Sequence, residues 1–274
     1  MDGRIRIGAV NYLNAKPLIH ELAALAPDAE LILDLPSRLA DMLERDELEV
    51  GLIPVIEYFR AGTYRIVPDI AIASRGPVLS VTLFSRTPRS NIRRLALDEG
   101  SRTSAALSQV LLRTRHGVNP EIVLLPLDQK AEEVDADAVL LIGDRAMHAC
   151  LPGFAHAYDL GQEWHDWTGL PFVYAVWAVR AGVDLGETVD ALAESKRRGI
   201  AAVGPIAARE APALGLDAGF CRRYLNHIIR FDFGPQEQAG LRRFYSLVAE
   251  LGLARPNVDL ELYRGGKMML AGAT

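Results

Sequence analysis

The sequence predicts an α/β protein of two lobes, each built on one βαβαβ unit. Three observations support this fold class. The length of 274 residues suffices for about two domains, the order of strand-like and helix-like segments occurs twice, and two long apolar segments lie at the joints between the repeats. Because 50% of the residues are hydrophobic, the chain can fill a sizeable core, which excludes a disordered or fibrous protein.

The first βαβαβ unit is predicted from short β-branched runs that alternate with amphipathic stretches. Pro17 suits the first turn of a helix, and Ser37 suits the N-cap of the next helix. Strands joined by helices pair in parallel through right-handed crossovers, so the unit predicts a parallel sheet. The predicted strands are residues 5–10, 31–35 and 49–53, and the predicted helices are residues 17–26 and a segment that starts at Ser37.

The second unit repeats this order, although its sequence is only weakly similar to that of the first. Gly117 is a typical C-terminal stop for the helix before it. The predicted strands are residues 95–97, 122–125 and 138–142, and the predicted helices are residues 104–116 and a short acidic one near residues 131–133.

Two apolar strands, residues 78–84 and 172–179, are expected to cross between the lobes as a two-strand hinge. The chain from about Thr188 onward reads as helices that pack back on the first lobe. We therefore predict a discontinuous first lobe of residues 1–83 and 177–274, with residues 84–176 inserted as the second lobe.

Charge and cysteine content restrict the partners and the compartment. Lys and Arg number 30 against 35 Asp and Glu, a formal net charge of -5, which argues against a nucleic-acid-binding protein. Cys150 and Cys221 show no CxxC pairing, so neither a disulfide framework nor a cysteine zinc site is expected. The first residues lack a signal-peptide pattern, and the apolar runs are shorter than the roughly 20 residues of a membrane span. We expect a cytoplasmic protein that binds neither nucleic acid nor membrane.

Ligands of open α/β sheets bind at the carboxyl ends of the strands, and this rule selects the candidate site. Helix N-termini present unpaired N–H groups and partial positive charge, so the segment before the helix at 104–116 suits a carboxylate or phosphate. Helix capping is the ordinary alternative for Ser101, Thr103 and Asp144. A turn is the alternative for Asn14, and a buried hydroxyl for Ser80. The candidates are Asn14 and Lys16 after the first strand, Ser101, Arg102, Thr103 and Ser104 after the strand at 95–97, Asp144 after the strand at 138–142, and Ser80 on the first crossing strand.

The sequence contains no motif for metal binding, nucleotide binding or α/β-hydrolase catalysis. The six histidines show no metal-ligand spacing, so no metal site is expected. The nucleotide-binding patterns GxGxxG and GxxxxGKS/T are absent, and so is the GxSxG pattern of α/β-hydrolases.

Four blocks of the sequence resemble the chorismate dehydratase family of the futalosine route to menaquinone. The first, IGAVNYLNAKPL at residues 7–18, resembles the N-terminal signature of that family. The resemblance covers nearly the whole chain, and its blocks fall at the strand ends selected above. The other blocks are SVTLFS at residues 80–85, LDEGSRTS at residues 97–104 and TGLPFVYAVW at residues 168–177.

This resemblance implies the fold of type II periplasmic binding proteins and the removal of water from chorismate, a small dianion, to give 3-[(1-carboxyvinyl)oxy]benzoate. It implies neither a metal nor another cofactor, because formation of the aromatic ring supplies the driving force. Asn14 and Ser80 match polar site positions of the family and are expected to be catalytic donors. Residues 101–104 are expected to hold a carboxylate of the substrate.

Several alternatives stay open at this point. The base is Asp144, Glu57 or the substrate's own enolpyruvyl carboxylate. The function is alternatively that of the related 1,4-dihydroxy-6-naphthoate synthase, whose Ser-Pro-Cys-Pro-Asn-Asp block is absent here, or that of a non-catalytic protein that binds a small anion. The oligomeric state is also open, with a homodimer as one option.

Overall fold

The computed structural model describes residues 4–126, 128–148 and 151–265. Its strands form two sheets with helices packed against them. The strands are β1 (Arg6–Val10), β2 (Glu30–Asp34), β3 (Val50–Pro54), β4 (Arg65–Ser74), β5 (Val81–Ser85), β6 (Arg94–Asp98), β7 (Glu121–Leu125), β8 (Ala138–Ile142), β9 (His156–Asp159), β10 (Phe172–Val179) and β11 (Ile229–Arg230). The α-helices are α1 (Leu22–Leu25), α2 (Pro36–Glu44), α3 (Val55–Ala61), α4 (Arg102–Val110), α5 (Gly143–Met147), α6 (Leu160–Thr168), α7 (Thr188–Ala201), α8 (Val203–Leu214), α9 (Ala218–Arg223) and α10 (Pro235–Glu250). Short 3-10 helices span Leu13–Ile19, Arg89–Asn91 and Ala131–Glu133, and π-helical turns span Leu111–Arg115 and Tyr224–Ile228.

Both sheets contain the same arrangement of strands. The first has the order β11-β4-β10-β3-β1-β2, and the second has the order β7-β6-β8-β5-β9. In each, the first strand of a βαβαβ unit lies between two parallel partners: β1 pairs with β2 and β3, and β6 pairs with β7 and β8. The predicted α/β fold with two βαβαβ units is confirmed. The sheets are mixed rather than purely parallel, because β10 and β5 add antiparallel neighbours.

The two predicted crossing strands belong to different sheets. β5 pairs with β8 and β9 in the second sheet, whereas β10 pairs with β3 and β4 in the first. The chain crosses between the sheets in residues 75–80 and 169–171, which are not strands. The hinge therefore consists of two short connections that lead into β5 and β10. We propose that the lobes divide at these connections, rather than after residues 83 and 176.

Residues 17–26 do not form the single helix that the sequence predicts. The segment Leu13–Ile19 is a 3-10 helix, and α1 follows it as a separate single turn. Glu21 interrupts the two with a left-handed φ of 58°, a conformation that cannot continue a right-handed helix. The loop after β1 consequently carries its side chains on a tighter helix than expected.

The predicted N-cap at Ser37 is wrong, because α2 starts one residue earlier. Pro36 occupies the first turn, where its fixed φ suits a helix, and Leu35 takes the cap position. The helix predicted at 104–116 also starts earlier, at Arg102, and ends in a π-helical turn.

Three strands, β4, β9 and β11, have no counterpart in the sequence prediction. β4 contains Pro68 and Asp69, and the left-handed φ of 61° at Asp69 breaks the alternation of its side chains. Its pairing with β10 shows two register shifts, one of which spans Asp69. Such a bulged strand does not present the regular period that identifies a strand in sequence.

An aromatic cluster fixes the second connection between the sheets. Trp164 lies in α6 and is 0% exposed. Its indole N–H donates to the Pro171 carbonyl at 3.1 Å. The Phe172 ring stands edge-on to Trp164, with centroids 5.3 Å apart, and to Phe244 of α10, at 4.9 Å. These contacts anchor the start of β10 against α6 and α10.

Candidate active site

A cleft opens between the two sheets at the carboxyl ends of their parallel strands. The residues that end or follow β1, β2, β3, β6 and β8 line it, together with the first connection and parts of β4, β5 and β10. Its empty volume, open mouth included, is about 580 Å³. The lining residues are Val10, Tyr12, Asn14, Pro36, Pro54, Ile72, Val78, Ser80, Val81, Gly100, Ser101, Arg102, Thr103, Ser104, Ile142, Gly143, Tyr174 and Ala175.

The wall that belongs to the first sheet offers the side chains of Tyr12 and Asn14. Both lie where β1 passes into the 3-10 helix, whose first turn is closed by the Ala15 N–H donating to the Tyr12 carbonyl at 3.0 Å. Burial raises the pKa of Tyr12 to about 12, and the nearby Asp98 and Asp144 carboxylates add to the effect. The phenol therefore stays protonated and can donate a hydrogen bond.

The wall that belongs to the second sheet offers the N-terminus of α4. Ser101 is the N-cap residue, yet its side chain makes no capping hydrogen bond. The first backbone bond of the helix runs from the Ala105 N–H to the Ser101 carbonyl, at 3.2 Å. The N–H groups of residues 102–104 therefore lie outside the backbone ladder, at the positive end of the helix. This end of the cleft suits an anion.

The buried carboxylate of Asp98 fixes the loop that leads into α4. It accepts hydrogen bonds from the Gly100 N–H at 2.9 Å and from the Arg145 guanidinium at 3.2 Å. The Asp98 carbonyl accepts from the Ser101 N–H at 3.0 Å. Burial raises the pKa of Asp98, while these hydrogen bonds and the Arg145 charge oppose that effect. The carboxylate and the backbone carbonyl of Asp98 thus both hold the start of the helix in place.

Ser80 lies at the end of the first connection and is 2% exposed. The Tyr224 hydroxyl donates to Ser80 Oγ at 2.8 Å, and Ser80 Oγ donates to the Val78 carbonyl at 3.4 Å. The backbone before Ser80 is held by Asp159, which accepts from the Leu79 N–H at 2.7 Å and from the Val78 N–H at 3.0 Å. These bonds stabilise a left-handed φ of 62° at Leu79, a conformation that is strained for a residue with a side chain.

Arg102 and Thr103 connect the two sides of the cleft. The Arg102 guanidinium bonds to both carboxylate oxygens of Asp41 on α2, at 2.7 and 2.9 Å, and lies 3.6 Å from Glu57 on α3. Thr103 Oγ1 accepts from the Ile56 N–H at 3.3 Å. Arg102 is a predicted substrate-binding residue, but its guanidinium is bonded to side chains of the opposite lobe.

The structure does not bring Lys16 or Asp144 into the lining of the cleft. Lys16 Nζ bonds to Asn11 Oδ1 at 2.6 Å and to Glu210 at 3.1 Å. Asp144 lies one residue beyond Gly143, and in the described part of the chain its Oδ1 is buried without a hydrogen-bond partner. Burial raises the pKa of Asp144, while the nearby His148 and Lys16 act in the opposite direction. The substrate-binding roles of Lys16 and Asp144 stay predictions.

Four residues of the site escape the sequence prediction: Tyr12, Tyr174, Tyr224 and Asp159. Tyr174 lines the cleft from β10, and its hydroxyl lies 3.2 Å from Ser74 Oγ. Tyr224 and Asp159 support Ser80 from behind. Tyr174 falls inside the block at 168–177, so its position was a usable signal, whereas no pattern surrounds Tyr224 or Asp159.

The lining combines apolar walls with neutral donors. Within the described chain, Arg102 is the only lining residue with a charged side chain, and no Asp, Glu, His, Lys or Cys lines the cleft. Such a site can bind a small anion through hydroxyls, an amide and helix N–H groups. It offers no side chain of its own that is suited to be a strong general base at neutral pH.

The described residues contain no group of three or more His, Cys, Asp or Glu side chains arranged to hold a metal ion. None of their helices has the length and apolar character needed to span a bilayer.

Comparison with solved structures supports the fold. The periplasmic aliphatic sulphonate binding protein of Escherichia coli superimposes with a TM-score of 0.66 at 15% identity, and the match covers 100% of this chain and 96% of that protein. At this identity the likeness shows the fold alone, which is that of periplasmic binding proteins.

Sequence comparison places the chain in a family. Chorismate dehydratase of Thermus thermophilus is 31% identical over 257 residues, which cover 87% of this chain and 93% of that protein. Chorismate dehydratase of Campylobacter jejuni is 27% identical over 254 residues, covering 90% and 99%. The profile of a family described as menaquinone biosynthesis matches residues 5–250. The chain therefore belongs to this menaquinone biosynthesis family.

Proposed function

We propose that this protein removes water from chorismate to give 3-[(1-carboxyvinyl)oxy]benzoate. Two relatives that align with most of the chain are chorismate dehydratases. The observation that carries the proposal is the lining of the cleft, where neutral donors lie on both walls and the described lining residues include no carboxylate. Such a lining accepts a small dianion without a lining carboxylate in direct contact with it.

The reaction starts at the ring carbon that carries the enolpyruvyl ether. Loss of its proton leaves a carbanion conjugated to the ring carboxylate, and departure of the neighbouring hydroxyl as water makes the ring aromatic. The barrier lies in forming the carbanion, so donors are needed where its charge accumulates. We assign this role to Asn14 and Ser80, which reach the cleft from the loop after β1 and from the first connection.

We assign the binding of a substrate carboxylate to the start of α4. The N–H groups of residues 102–104 lie at the positive end of the helix, and the hydroxyls of Ser101 and Ser104 lie beside them in the cleft wall. Together they provide hydrogen bonds to an anion without requiring a lysine or arginine. Arg102 adds a positive charge nearby while its guanidinium holds Asp41.

We assign the base to the substrate itself. Glu57 pairs with Arg60 at 2.7 Å and with Arg102 at 3.6 Å, and both Glu57 and Asp144 lie outside the lining. The enolpyruvyl carboxylate is tethered through the ether to the carbon that loses the proton. A tethered base gains a large effective concentration, so it can replace a protein side chain.

The test is incubation of the purified protein with chorismate, followed by mass spectrometry. We expect a product lighter than chorismate by one water, formed in proportion to protein and absent with heat-inactivated protein. Binding of unchanged chorismate, measured by calorimetry, would favour a non-catalytic binding protein. If the protein neither binds nor converts chorismate, that result would favour the naphthoate synthase reaction on a cyclic futalosine substrate.

A further inference from the structure

A buried phenol stands behind the catalytic donor Ser80. Tyr224 begins the π-helical turn after α9, and its side chain is buried, with the residue 1% exposed. It is not among the residues that line the cleft, yet its hydroxyl donates to Ser80 Oγ at 2.8 Å. Its sequence distance of 144 residues from Ser80 means that the contact exists only in the folded chain.

The direction of this hydrogen bond determines what Ser80 can do. A serine hydroxyl has one proton and two acceptor sites. Tyr224 occupies an acceptor site of Ser80, so the serine proton must point elsewhere. Its present acceptor, the Val78 carbonyl, lies at 3.4 Å, which is long for a hydroxyl donor. Little hydrogen-bond energy is therefore lost when this proton turns toward a ligand in the cleft.

The Tyr224 phenol is itself held in its donor role. Burial raises its pKa well above the ordinary value, although its contacts with Ser80 and Asn14 act in the opposite direction. The phenol therefore keeps its proton near neutral pH. The Phe220 ring lies nearly parallel to the Tyr224 ring, with the centroids 6.4 Å apart and the planes 8° apart.

We infer that Tyr224 is a positioning residue for the reaction proposed above, because its hydroxyl commits Ser80 to donating its proton toward the substrate. Without it, Ser80 Oγ can turn to accept a hydrogen bond from other donors and is no longer held facing the developing charge. This inference depends on the proposed function, since it assigns a task to a donor of that reaction.

The first test compares Tyr224→Phe with Tyr58→Phe. Each removes one buried tyrosine hydroxyl and keeps the ring, but the Tyr58 hydroxyl bonds to the Asp259 carbonyl at 2.9 Å, away from the cleft. We expect kcat to fall about 10-fold or more in Tyr224→Phe, with KM changed less than about threefold. Tyr58→Phe should keep kcat, even if both variants unfold at a lower temperature.

A double-mutant cycle tests whether Tyr224 acts through Ser80. We expect the variant with Ser80→Ala and Tyr224→Phe to retain the kcat of Ser80→Ala within about threefold. If the fold-losses in kcat of the two single variants multiply in the double variant, Tyr224 acts independently of Ser80, and the inference is overturned.

Rescue keeps the inference testable if Tyr224→Phe fails to fold. The change Tyr224→4-aminophenylalanine retains an N–H donor toward Ser80, so we expect its kcat within about threefold of the wild type. A large loss in this variant, or wild-type kcat in Tyr224→Phe, would overturn the positioning role alone. A wild-type protein that leaves chorismate unchanged in the same assay would overturn the proposed function and this inference together.

Discussion

The loops after β1 and β6 occupy equivalent places in the two sheets, yet they present different kinds of donor. Each strand lies between two parallel partners. After β1 the chain tightens into a 3-10 helix, and the side chains of Tyr12 and Asn14 reach the cleft. After β6 it enters a regular α-helix, and the uncapped backbone of residues 102–104 forms the wall.

This difference separates the binding of a fixed charge from the stabilisation of a developing one. Helix N–H groups hold an anion in the substrate and in the transition state alike, so their loss should raise KM. A side-chain donor that faces the reacting ring acts mainly when charge accumulates there, so its loss should lower kcat. The comparison therefore predicts two separable kinetic signatures for two walls of one cleft.

The largest effect is expected on the β1 wall. Asn14→Ala should lower kcat about 10²–10³-fold, the usual loss for one preorganised donor, with KM changed little. Asn11→Ala is the matched control, because Asn11 is exposed in the same loop and should keep kcat. Steady-state kinetics with chorismate measures both. A near-normal kcat in Asn14→Ala would remove Asn14 from the mechanism.

The next effect belongs to the β6 wall. Ser104→Pro removes the N–H at the third position of α4, whereas Ser104→Ala removes the hydroxyl and keeps that N–H. We expect KM to rise about 10–100-fold in Ser104→Pro and only a few-fold in Ser104→Ala, with kcat similar in both. Circular dichroism should show both variants folded. If KM rises above the wild-type value equally in the two variants, the hydroxyl, and not the backbone N–H, binds the carboxylate.

The sequence predicts much of this site because the strand-end rule depends only on topology. Asn14, Ser80 and residues 101–104 all line the cleft, as the alternation of strands and helices predicts. Lys16 and Asp144 lie in the same loops, yet their side chains leave the cleft. Lys16 lies in a 3-10 helix and Asp144 in the short helix α5, and in such short helices the direction of a side chain depends on local backbone angles that no sequence spacing predicts.

The supporting residues could not be predicted, because their contacts span long sequence distances. Asp159 holds the backbone of Val78 from 81 residues away, and Tyr224 reaches Ser80 across 144 residues. Parallel βαβαβ units carry a clear hydrophobic period and were predicted. The bulged strand β4 and the two connections show no such period, so only the structure shows where the chain crosses between the sheets.

A smaller effect is expected for the carboxylates near the cleft. If the substrate supplies the base, Asp144→Asn and Glu57→Gln should each keep kcat within about threefold. Both changes remove the negative charge and nearly preserve the size of the side chain. A loss of about 10²–10⁴-fold in either variant would identify a protein base. It would also show that the chemistry is not confined to the neutral donors of the two walls.

The smallest effect concerns salt, and it tests whether local dipoles or surface charge bind the dianion. The protein carries a net charge of -5, so its overall field opposes an anionic substrate. The start of α4 is buried, with Ser101 and Ser104 5% and 4% exposed, and buried interactions are screened less than exposed ones. We expect KM to change less than about threefold between about 0.05 and 0.5 M salt. Arg102→Gln, which removes the charged side chain from the described lining, should show the same weak dependence. A steep rise of KM with salt that disappears in Arg102→Gln would mean that the guanidinium, rather than the helix N-terminus, attracts the substrate.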